Sequence, residues 1–283
     1  MPKISLSTWS LFSRMSCQRS ILFAAENGFE GIEIWSNTFD LWPRTVTAKE
    51  IENIKSIAGE NALSLSVHFC TANNNLADVN LGHLKESLNQ LKETIRFCRR
   101  IGGRLVVIHP GTYSDIFPWC QPQTNPKLTP EVLKQAAIER FKNSLKEAAC
   151  YAESHDVLIC LENFSSGKNC VLTTIEDMAE WIDAINNPAL KIAVDLGHAH
   201  VNGGVTKVIN ILRYRIEHLF LHDSNADSLI HCELGTGTID WQSIRPFLKS
   251  FPGMLTIEVM DYSDPEGAVL RSKSFLDRLL ADQ

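Results

Sequence analysis

The sequence lacks any apolar run that approaches the roughly 20 residues needed to cross a bilayer. Its opening residues also lack the apolar core and small-residue cleavage site of a signal peptide. None of the eight cysteines forms a Cys-x-x-Cys pair, and without an export signal reduced thiols are expected rather than disulfides. We therefore expect a cytoplasmic protein with no membrane partner.

A block of Lys or Arg residues is also absent, and the net charge is −6. This negative net charge disfavours an extended basic surface that binds nucleic acid, although a local basic patch is compatible with it. A hydrophobic content of 44% and a length of 283 residues are ordinary for a soluble globular chain with one large core. We expect residues 1–283 to form one domain. The sequence leaves assembly into a homo-oligomer open.

Apolar runs alternate with amphipathic segments along the whole chain. Eight runs are predicted strands, at residues 3–9, 31–35, 63–69, 104–109, 157–163, 190–195, 217–222 and 254–259. Eight segments are predicted helices, at residues 17–27, 47–60, 84–101, 129–155, 174–186, 205–214, 240–250 and 265–280. Nearly continuous apolar strands indicate a sheet covered on both faces, so the pattern predicts a single-domain α/β fold, the (β/α)8 TIM barrel. A doubly wound sheet is the alternative, but no Gly-rich dinucleotide fingerprint follows the first strand.

Carboxylates and imidazoles recur where the predicted strands end, which is where TIM barrels carry their chemistry. They are Glu33, His68, His109, Glu162, Asp195, His198, His222, Asp223 and Glu258, with His231 in the loop after strand seven. Taken singly, each has a plain structural interpretation as a helix cap or a hydrogen-bonded core residue. Together they would repel one another unless something neutralised them. Nitrogen and oxygen ligands suit a divalent metal such as zinc or manganese.

Several short segments form a specific set: Leu65-Ser-Val-His68, Asn80-Leu81, Val106-Val-Ile-His-Pro-Gly111, Leu161-Glu-Asn163, Val194-Asp-Leu-Gly-His198, Leu221-His-Asp223, residues 231–237 and Ile257-Glu258. In this set the chain resembles the xylose-isomerase-like TIM barrels over essentially its whole length. These barrels include endonuclease IV and the sugar-phosphate isomerases and epimerases. The set is specific for the superfamily and not for one reaction.

The resemblance implies a site for one to three divalent metal ions, zinc, manganese or similar. The residues that match the single-metal ligands of the epimerases are Glu162, Asp195, His222 and Glu258. Glu162 and Glu258 are also the candidate catalytic bases, which would remove and return a proton beside a carbonyl. The expected function is isomerisation or epimerisation of a small sugar or sugar phosphate.

Four further imidazoles match metal ligands of endonuclease IV: His68, His109, His198 and His231. They support the alternative function, a zinc-dependent phosphodiesterase with nucleic acid as its partner. An aspartate that completes the third metal site of that enzyme is replaced here by Leu229, with Asp223 or Asp227 left open as substitutes. A barrel that binds metal or sugar without turnover is the weakest of the three interpretations.

Four residues are candidate substrate contacts. Trp9 and Trp35 would form an apolar wall for a sugar face, although core packing is equally open. Trp119 lies in the long irregular stretch at residues 111–128, a candidate lid, and Lys168 is a candidate partner for an anionic group. The segment at residues 235–240 is either a phosphate loop or, as we favour, a turn with Asp240 as helix N-cap.

Overall fold

The computed structural model describes residues 2–70, 72–113, 129–163, 169–226 and 231–281. In these ranges eight parallel strands close into a barrel in chain order, with the eighth strand hydrogen-bonded to the first. The strands are β1 (Lys3–Ser7), β2 (Gly31–Ser36), β3 (Ser64–Phe69), β4 (Leu105–Ile108), β5 (Leu158–Glu162), β6 (Leu190–Asp195), β7 (Ile216–Leu221) and β8 (Met254–Ile257). The predicted TIM barrel is confirmed, and closure excludes an open doubly wound sheet.

Helices follow every strand and cover the outside of the barrel. They are α1 (Cys17–Glu26), α2 (Ala48–Glu60), α3 (Leu81–Ile101), α4 (Pro130–Glu153), α5 (Ile175–Ile185), α6 (Leu196–Val201), α7 (Val205–Leu212), α8 (Trp241–Ser250) and α9 (Pro265–Leu280). Among the helices in the described ranges, none combines the length and apolar content needed to span a bilayer.

Helix α6 is the element that the sequence pattern missed. It has six residues and begins directly after β6, with Asp195 as its N-cap. The Asp195 side chain accepts a hydrogen bond from the backbone N–H of His198, at 2.7 Å. A helix this short carries too few turns for an apolar period to be recognised. Its consequence is that β6 delivers a carboxylate and, one turn later, an imidazole to the same end of the barrel.

Local capping signals set most of the other helix ends. Thr47 and Glu50 form a capping box at the start of α2, and Thr129 caps α4 with Pro130 in its first turn. Helix α3 begins at residue 81 rather than 84, because the Asn80 side chain accepts from two backbone N–H groups of the first turn.

The first predicted strand is shorter than expected. β1 ends at Ser7, and a 3-10 helix at Thr8–Leu11 follows it. The Ser7 hydroxyl accepts from the backbone N–H of Trp9 at this turn. Trp9 therefore lies on a short helical turn above β1 rather than in the strand.

The core has two parts. The larger part lies between the outer face of the sheet and the helices, and the smaller part, inside the barrel, consists of Leu105, Val107, Cys160, Ala193 and Phe220. Successive side chains of a strand point to opposite faces, so the residue two positions after each interior residue also faces inward. Glu162, Asp195 and His222 therefore face the barrel interior, because each comes two positions after an interior residue: Cys160, Ala193 and Phe220. The apolar interior thus supports a polar layer at the carboxyl end.

Candidate metal centre

Five candidate ligands at the strand ends are nearly inaccessible to solvent. The exposed fraction is 0% for His68, 2% for Glu162, 0% for Asp195, 0% for His222 and 4% for Glu258. Ionisable groups at this depth are costly unless they are paired or bind a cation. Barrel closure brings them together, and their pairing determines what the site can hold.

One group of ligand atoms comes from the ends of three consecutive strands. It contains His68, His109 and Glu162, and we call it the β3–β5 cluster. Glu162 Oε2 lies 3.2 Å from His68 Nε2 and 3.1 Å from His109 Nε2. Burial alone would raise the pKa of Glu162, but the two imidazoles outweigh burial and hold that pKa well below its usual value. Glu162 is therefore an ionised carboxylate between two imidazoles.

A second group contains His198, His222 and His231, and we call it the β6–β8 cluster. The rings of His222 and His231 stack with centroids 3.7 Å apart. Asp195 adjoins the cluster, with its Oδ1 atom 2.9 Å from His222 Nε2. Burial would raise the pKa of Asp195, yet His222 and His198 lower it to about 2. Burial and the neighbouring His222 lower the pKa of His231 to about 4, which keeps that ring neutral.

The two clusters are joined by a third grouping of Glu162, Asp195 and His198. In each of the three groupings the ligand atoms lie within 4.8 Å of one another. The structure therefore brings together seven of the eight predicted metal ligands: His68, His109, Glu162, Asp195, His198, His222 and His231.

The imidazole tautomers fit a metal site. In three rings Nδ1 lies near a backbone carbonyl oxygen: His68 at 3.3 Å from Phe69, His222 at 3.1 Å from Asp223 and His231 at 2.9 Å from Glu258. A carbonyl oxygen only accepts, so Nδ1 donates and, in a neutral ring, Nε2 presents a lone pair. For His68 and His222 the Nε2 atom faces a carboxylate, and either a proton on Nε2 or a metal ion bound by both groups can link them. Asp195 Oδ2 is buried and has no hydrogen-bond partner among the described residues. The donor set therefore fits a divalent metal ion.

Glu258 lies outside these groupings of described residues. Its Oε1 atom accepts from the Ser7 hydroxyl at 3.0 Å and from the Trp35 indole at 3.3 Å, and its Oε2 atom is 3.8 Å from His231 Nδ1. Burial, together with the negative charges of Glu162 and Asp195, raises the pKa of Glu258 well above its usual value. Repulsion among buried carboxylates and the two donors explain why Glu258 stands apart from the other predicted ligands.

Two supports of the β6–β8 cluster were not predicted from the sequence. Asn163 brackets the end of β6, since its Oδ1 accepts from the Asp195 N–H at 2.6 Å and its Nδ2 donates to the Asp195 carbonyl at 3.0 Å. Gly197 leaves room for His222, because a Cβ atom there would lie 1.9 Å from Cε1 of that ring. The signal for Asn163 is its place directly after Glu162, at the end of β5.

Asp223 holds the loop that carries His231. Four donors converge on its carboxylate: the backbone N–H groups of Ser224 and Ile239 on Oδ1, and the Gly235 N–H and the Trp241 indole on Oδ2. Both oxygens are thus used, and Asp223 does not replace the missing aspartate ligand. The suggestion that it might is wrong, because the residue after an inward-facing position points away from the mouth.

Four backbone amide groups of the same loop already have partners within the protein. The N–H groups of Gly235 and Ile239 bond Asp223, and those of Thr236 and Thr238 bond the carbonyls of Glu233 and Ser224. Asp240 caps α8 as favoured from the sequence, and its side chain accepts from Ser243. His200 contacts the loop through Nε2, 2.9 Å from Thr238 Oγ1.

Trp9 and Trp35 form an aromatic wall beside both clusters. Trp35 stacks on His68 with centroids 4.2 Å apart and on Trp9 at 5.9 Å, and Trp9 lies 4.9 Å from the His231 ring. The structure thus places both tryptophans at the barrel mouth. The other predicted substrate contacts, Trp119 and Lys168, lie outside the described residues, as do Asp227, Leu229 and most of the candidate lid.

A separate cavity of about 760 Å³ lies at the opposite, amino-terminal end of the barrel. Lys3, Arg104 and Glu217 are among the residues that line it. In TIM barrels the chemistry sits at the carboxyl ends of the strands, so this cavity is not the candidate active site.

Comparison with known sequences places the chain among related barrels. The family described as "Xylose isomerase-like TIM barrel" matches residues 21–279. A fructoselysine 3-epimerase from Shigella flexneri is 22% identical, with 87% of this chain and 86% of that protein aligned. A probable endonuclease 4 from Listeria innocua is 25% identical, with 85% of this chain and 84% of that protein aligned.

Comparison with solved structures finds the same fold. The crystal structure of a D-tagatose 3-epimerase-like protein superimposes with a TM-score of 0.82 and 22% identity, covering 98% of this chain and 97% of that chain. At this identity the likeness demonstrates the fold and leaves the reaction to be argued from the site.

Proposed function

Since the chain belongs to the xylose isomerase-like TIM barrel family, we propose that it is a divalent-metal-dependent epimerase or isomerase of a small sugar. Relatives named as sugar 3-epimerases support the proposal, and the donor set of the barrel mouth supports the metal. Because four backbone amide groups of the loop at residues 235–240 already donate within the protein, we favour a sugar without a phosphate at that position.

The observation that carries the proposal is the division of labour between Glu162 and Glu258. Glu162 is ionised between two imidazoles, whereas burial and neighbouring carboxylates raise the pKa of Glu258 so that it retains its proton. Two carboxyl groups whose pKa values are driven apart suit a reaction that needs one base and one acid. Epimerisation beside a carbonyl is such a reaction, since a proton leaves one face of a carbon and returns to the other.

In the proposed reaction, Glu162 removes the proton from the carbon next to the ketose carbonyl. The electron pair delocalises into the carbonyl, and Glu258 donates a proton to the opposite face, which inverts the carbon. Proton exchange with solvent then returns Glu162 to its ionised form and Glu258 to its protonated form. A divalent ion held by Glu162, Asp195 and His222 would polarise the carbonyl and acidify that C–H bond. Ser7 and Trp35 hold the Glu258 carboxyl group through hydrogen bonds at 3.0 and 3.3 Å.

A second function, phosphodiester hydrolysis of the endonuclease IV type, is favoured by one observation. The β3–β5 cluster is assembled, with His109 Nε2 and His68 Nε2 both on Glu162. A second metal there would suit the stabilisation of attacking and leaving oxygens. Against it, Asp223 is fully used by the loop, and Leu229 stands where the remaining ligand is expected.

Metal content and two parallel assays distinguish these functions. Protein purified without added metal is analysed for bound ions per chain, then tested for deuterium incorporation into ketoses in D₂O and for cleavage of a duplex with an abasic site. We expect about one ion per chain with exchange into a ketose. Two or three zinc ions with duplex cleavage would establish the hydrolase instead. Metal binding without turnover in either assay would revive the non-catalytic interpretation.

A further inference from the structure

A cavity of about 560 Å³ opens beside the aromatic wall. It lies among the segments that follow β1, β2 and β3, and its apolar lining includes Trp9, Phe12, Met15, Trp35 and Phe39. Its volume falls within the usual range of about 300–1,000 Å³ for small-molecule sites.

Two phenylalanines on the cavity lining are exposed to solvent. Phe39 is fully exposed, and Phe12 is 64% exposed. Single exposed apolar side chains are common, but two that line the same apolar cavity are unusual, and exposed apolar surface of this kind marks binding sites. A ligand that enters the cavity would cover both rings.

Four polar side chains of the lining each form a hydrogen bond with the backbone. The Thr8 hydroxyl accepts from the Trp35 N–H, the Ser20 hydroxyl donates to the Ser16 carbonyl, the Thr38 hydroxyl accepts from the Leu41 N–H, and Asp40 accepts from the Cys17 N–H. The other lining residues are apolar side chains or thiols, so a free sugar bound there would leave several of its hydroxyls without a partner. The cavity therefore suits an apolar group.

The cavity adjoins the candidate active site through two residues. Trp35 lines it, stacks on His68 and donates to Glu258, while Trp9 lines it and packs against the His231 ring. Trp9 and Trp35 thus lie between the cavity and the candidate ligands, so a substituent bound in the cavity would lie next to a sugar bound beside Glu258.

We propose that this cavity binds an apolar substituent, aryl or alkyl, attached to the sugar, and that the preferred substrate is a substituted ketose rather than a free one. The sugar half of this inference rests on the proposed function, whereas the cavity half rests on the lining residues alone.

Matched substrates test the proposal. Solvent deuterium exchange is measured for D-fructose and for its 1-O-benzyl and 6-O-benzyl ethers with the metal-loaded enzyme. We expect kcat/KM for one benzyl ether to exceed that for D-fructose by about 10-fold, equivalent to about 1.4 kcal/mol. The double variant Phe12→Ser/Phe39→Ser should reduce this ratio toward 1. Tyr214→Ser, which removes an aromatic ring that is 92% exposed beyond α7, is the matched control and should leave the ratio unchanged.

The outcomes distinguish failure of the cavity proposal from failure of the proposed epimerase function. Exchange into D-fructose with no preference for either ether would overturn the substituent proposal and leave the epimerase standing. If no ketose exchanges, calorimetric binding of the ethers decides: tighter binding than D-fructose that the double variant loses supports the cavity, and equal binding overturns it. A double variant that dissociates a homodimer while keeping the ratio would show that Phe12 and Phe39 contact a second copy, which also overturns the proposal.

Discussion

The two imidazole clusters of the barrel mouth differ in how they are held. In the β3–β5 cluster, His68 and Glu162 lie in strands, and His109 follows β4 directly. In the β6–β8 cluster only His222 directly follows a strand, since His198 lies on α6 and His231 in the loop after β7. Both clusters place imidazoles near a carboxylate, but the first depends on strand register and the second on turns.

The difference indicates where each cluster is vulnerable. Register pairs His68 with Val107 and Ile108 with Leu161, so barrel closure alone aligns the first cluster. The second cluster requires Asn163 on the Asp195 backbone, a glycine at position 197 and the four donors on Asp223. Substitution of these supports should therefore weaken the β6–β8 cluster and spare the other, whereas substitution of Glu162 should disable both.

Glu162→Gln should produce the largest effect. The amide neither removes a proton nor supplies the charge that two imidazoles share, so we expect exchange activity to fall by about 10³-fold. Circular dichroism should show an intact fold. The control is Glu217→Gln, which alters a strand carboxylate at the opposite end of the barrel, beside the amino-terminal cavity, and should retain activity. A Glu162→Gln enzyme within a few-fold of wild type would refute the assigned role.

Gly197→Ala should separate the two clusters. The added Cβ would approach Cε1 and Nδ1 of His222 at 1.9 and 2.4 Å, so the ring must move. We expect metal affinity of the β6–β8 cluster to fall about 10- to 100-fold and unfolding free energy to fall by about 1–3 kcal/mol. Calorimetric metal titration measures the change in affinity, and thermal unfolding measures the change in stability.

Gly59→Ala, in α2, is the matched control, because an added Cβ meets no atom within 4 Å there. It should be neutral or slightly stabilising. Equal metal affinities for the Gly197→Ala variant and the wild type would show that His222 tolerates displacement.

Asp223→Asn should have a smaller effect on the same cluster. The amide turns an NH₂ group toward N–H donors, so the loop loses acceptors, at about 1–3 kcal/mol in the free energy of unfolding. Metal affinity should fall only a few-fold, because His231 remains present. Urea unfolding measures the first effect. Asp240→Asn, at a helix N-cap where Asn serves equally well, is the control. Indistinguishable stabilities for the two variants would mean that Asp223 does not support the loop.

The fold was predictable because its signals are local and repeat. Apolar runs bounded by capping residues mark each β/α unit, and period-two alternation then places the strand-end residues inside the barrel. Glu162, Asp195 and His222 could thus be assigned to one mouth before any coordinates were known. Helix α6 escaped prediction because it has six residues and includes Gly197.

The hydrogen-bond partners of the site residues within the barrel mouth were not predictable from the sequence. Glu258 bonds Ser7 and Trp35 from β1 and β2 rather than joining Asp195 and His222, and this choice depends on distances across the barrel. Asp223 follows His222 in sequence, which suggests a ligand, but its side chain takes the opposite direction. Residue type and spacing specify which groups reach a site, whereas their mutual hydrogen bonds require the packed structure.

His218, in the layer below both clusters, should affect stability only in acid. Neither ring nitrogen has a hydrogen-bond partner among the described residues, although Nε2 lies 3.5 Å from Glu33 Oε2. Burial, with a smaller effect of His68, lowers the pKa of His218 to about 3. In the unfolded chain the pKa of this histidine is about 6.5, so below that pH the unfolded chain binds a proton that the folded chain does not bind. The stabilising effect of neutral His218 is therefore complete above pH ~6.5. As the pH falls from ~6.5 toward ~3, the free energy of unfolding decreases by up to about 1.4 kcal/mol per pH unit.

Urea unfolding of metal-free protein between pH 4.5 and 7.5 tests this effect. The free energy of unfolding should decline less steeply with falling pH for His218→Gln than for wild type. Parallel slopes would mean that the folded and unfolded chains take up protons equally at His218, so that burial does not lower the pKa of this imidazole.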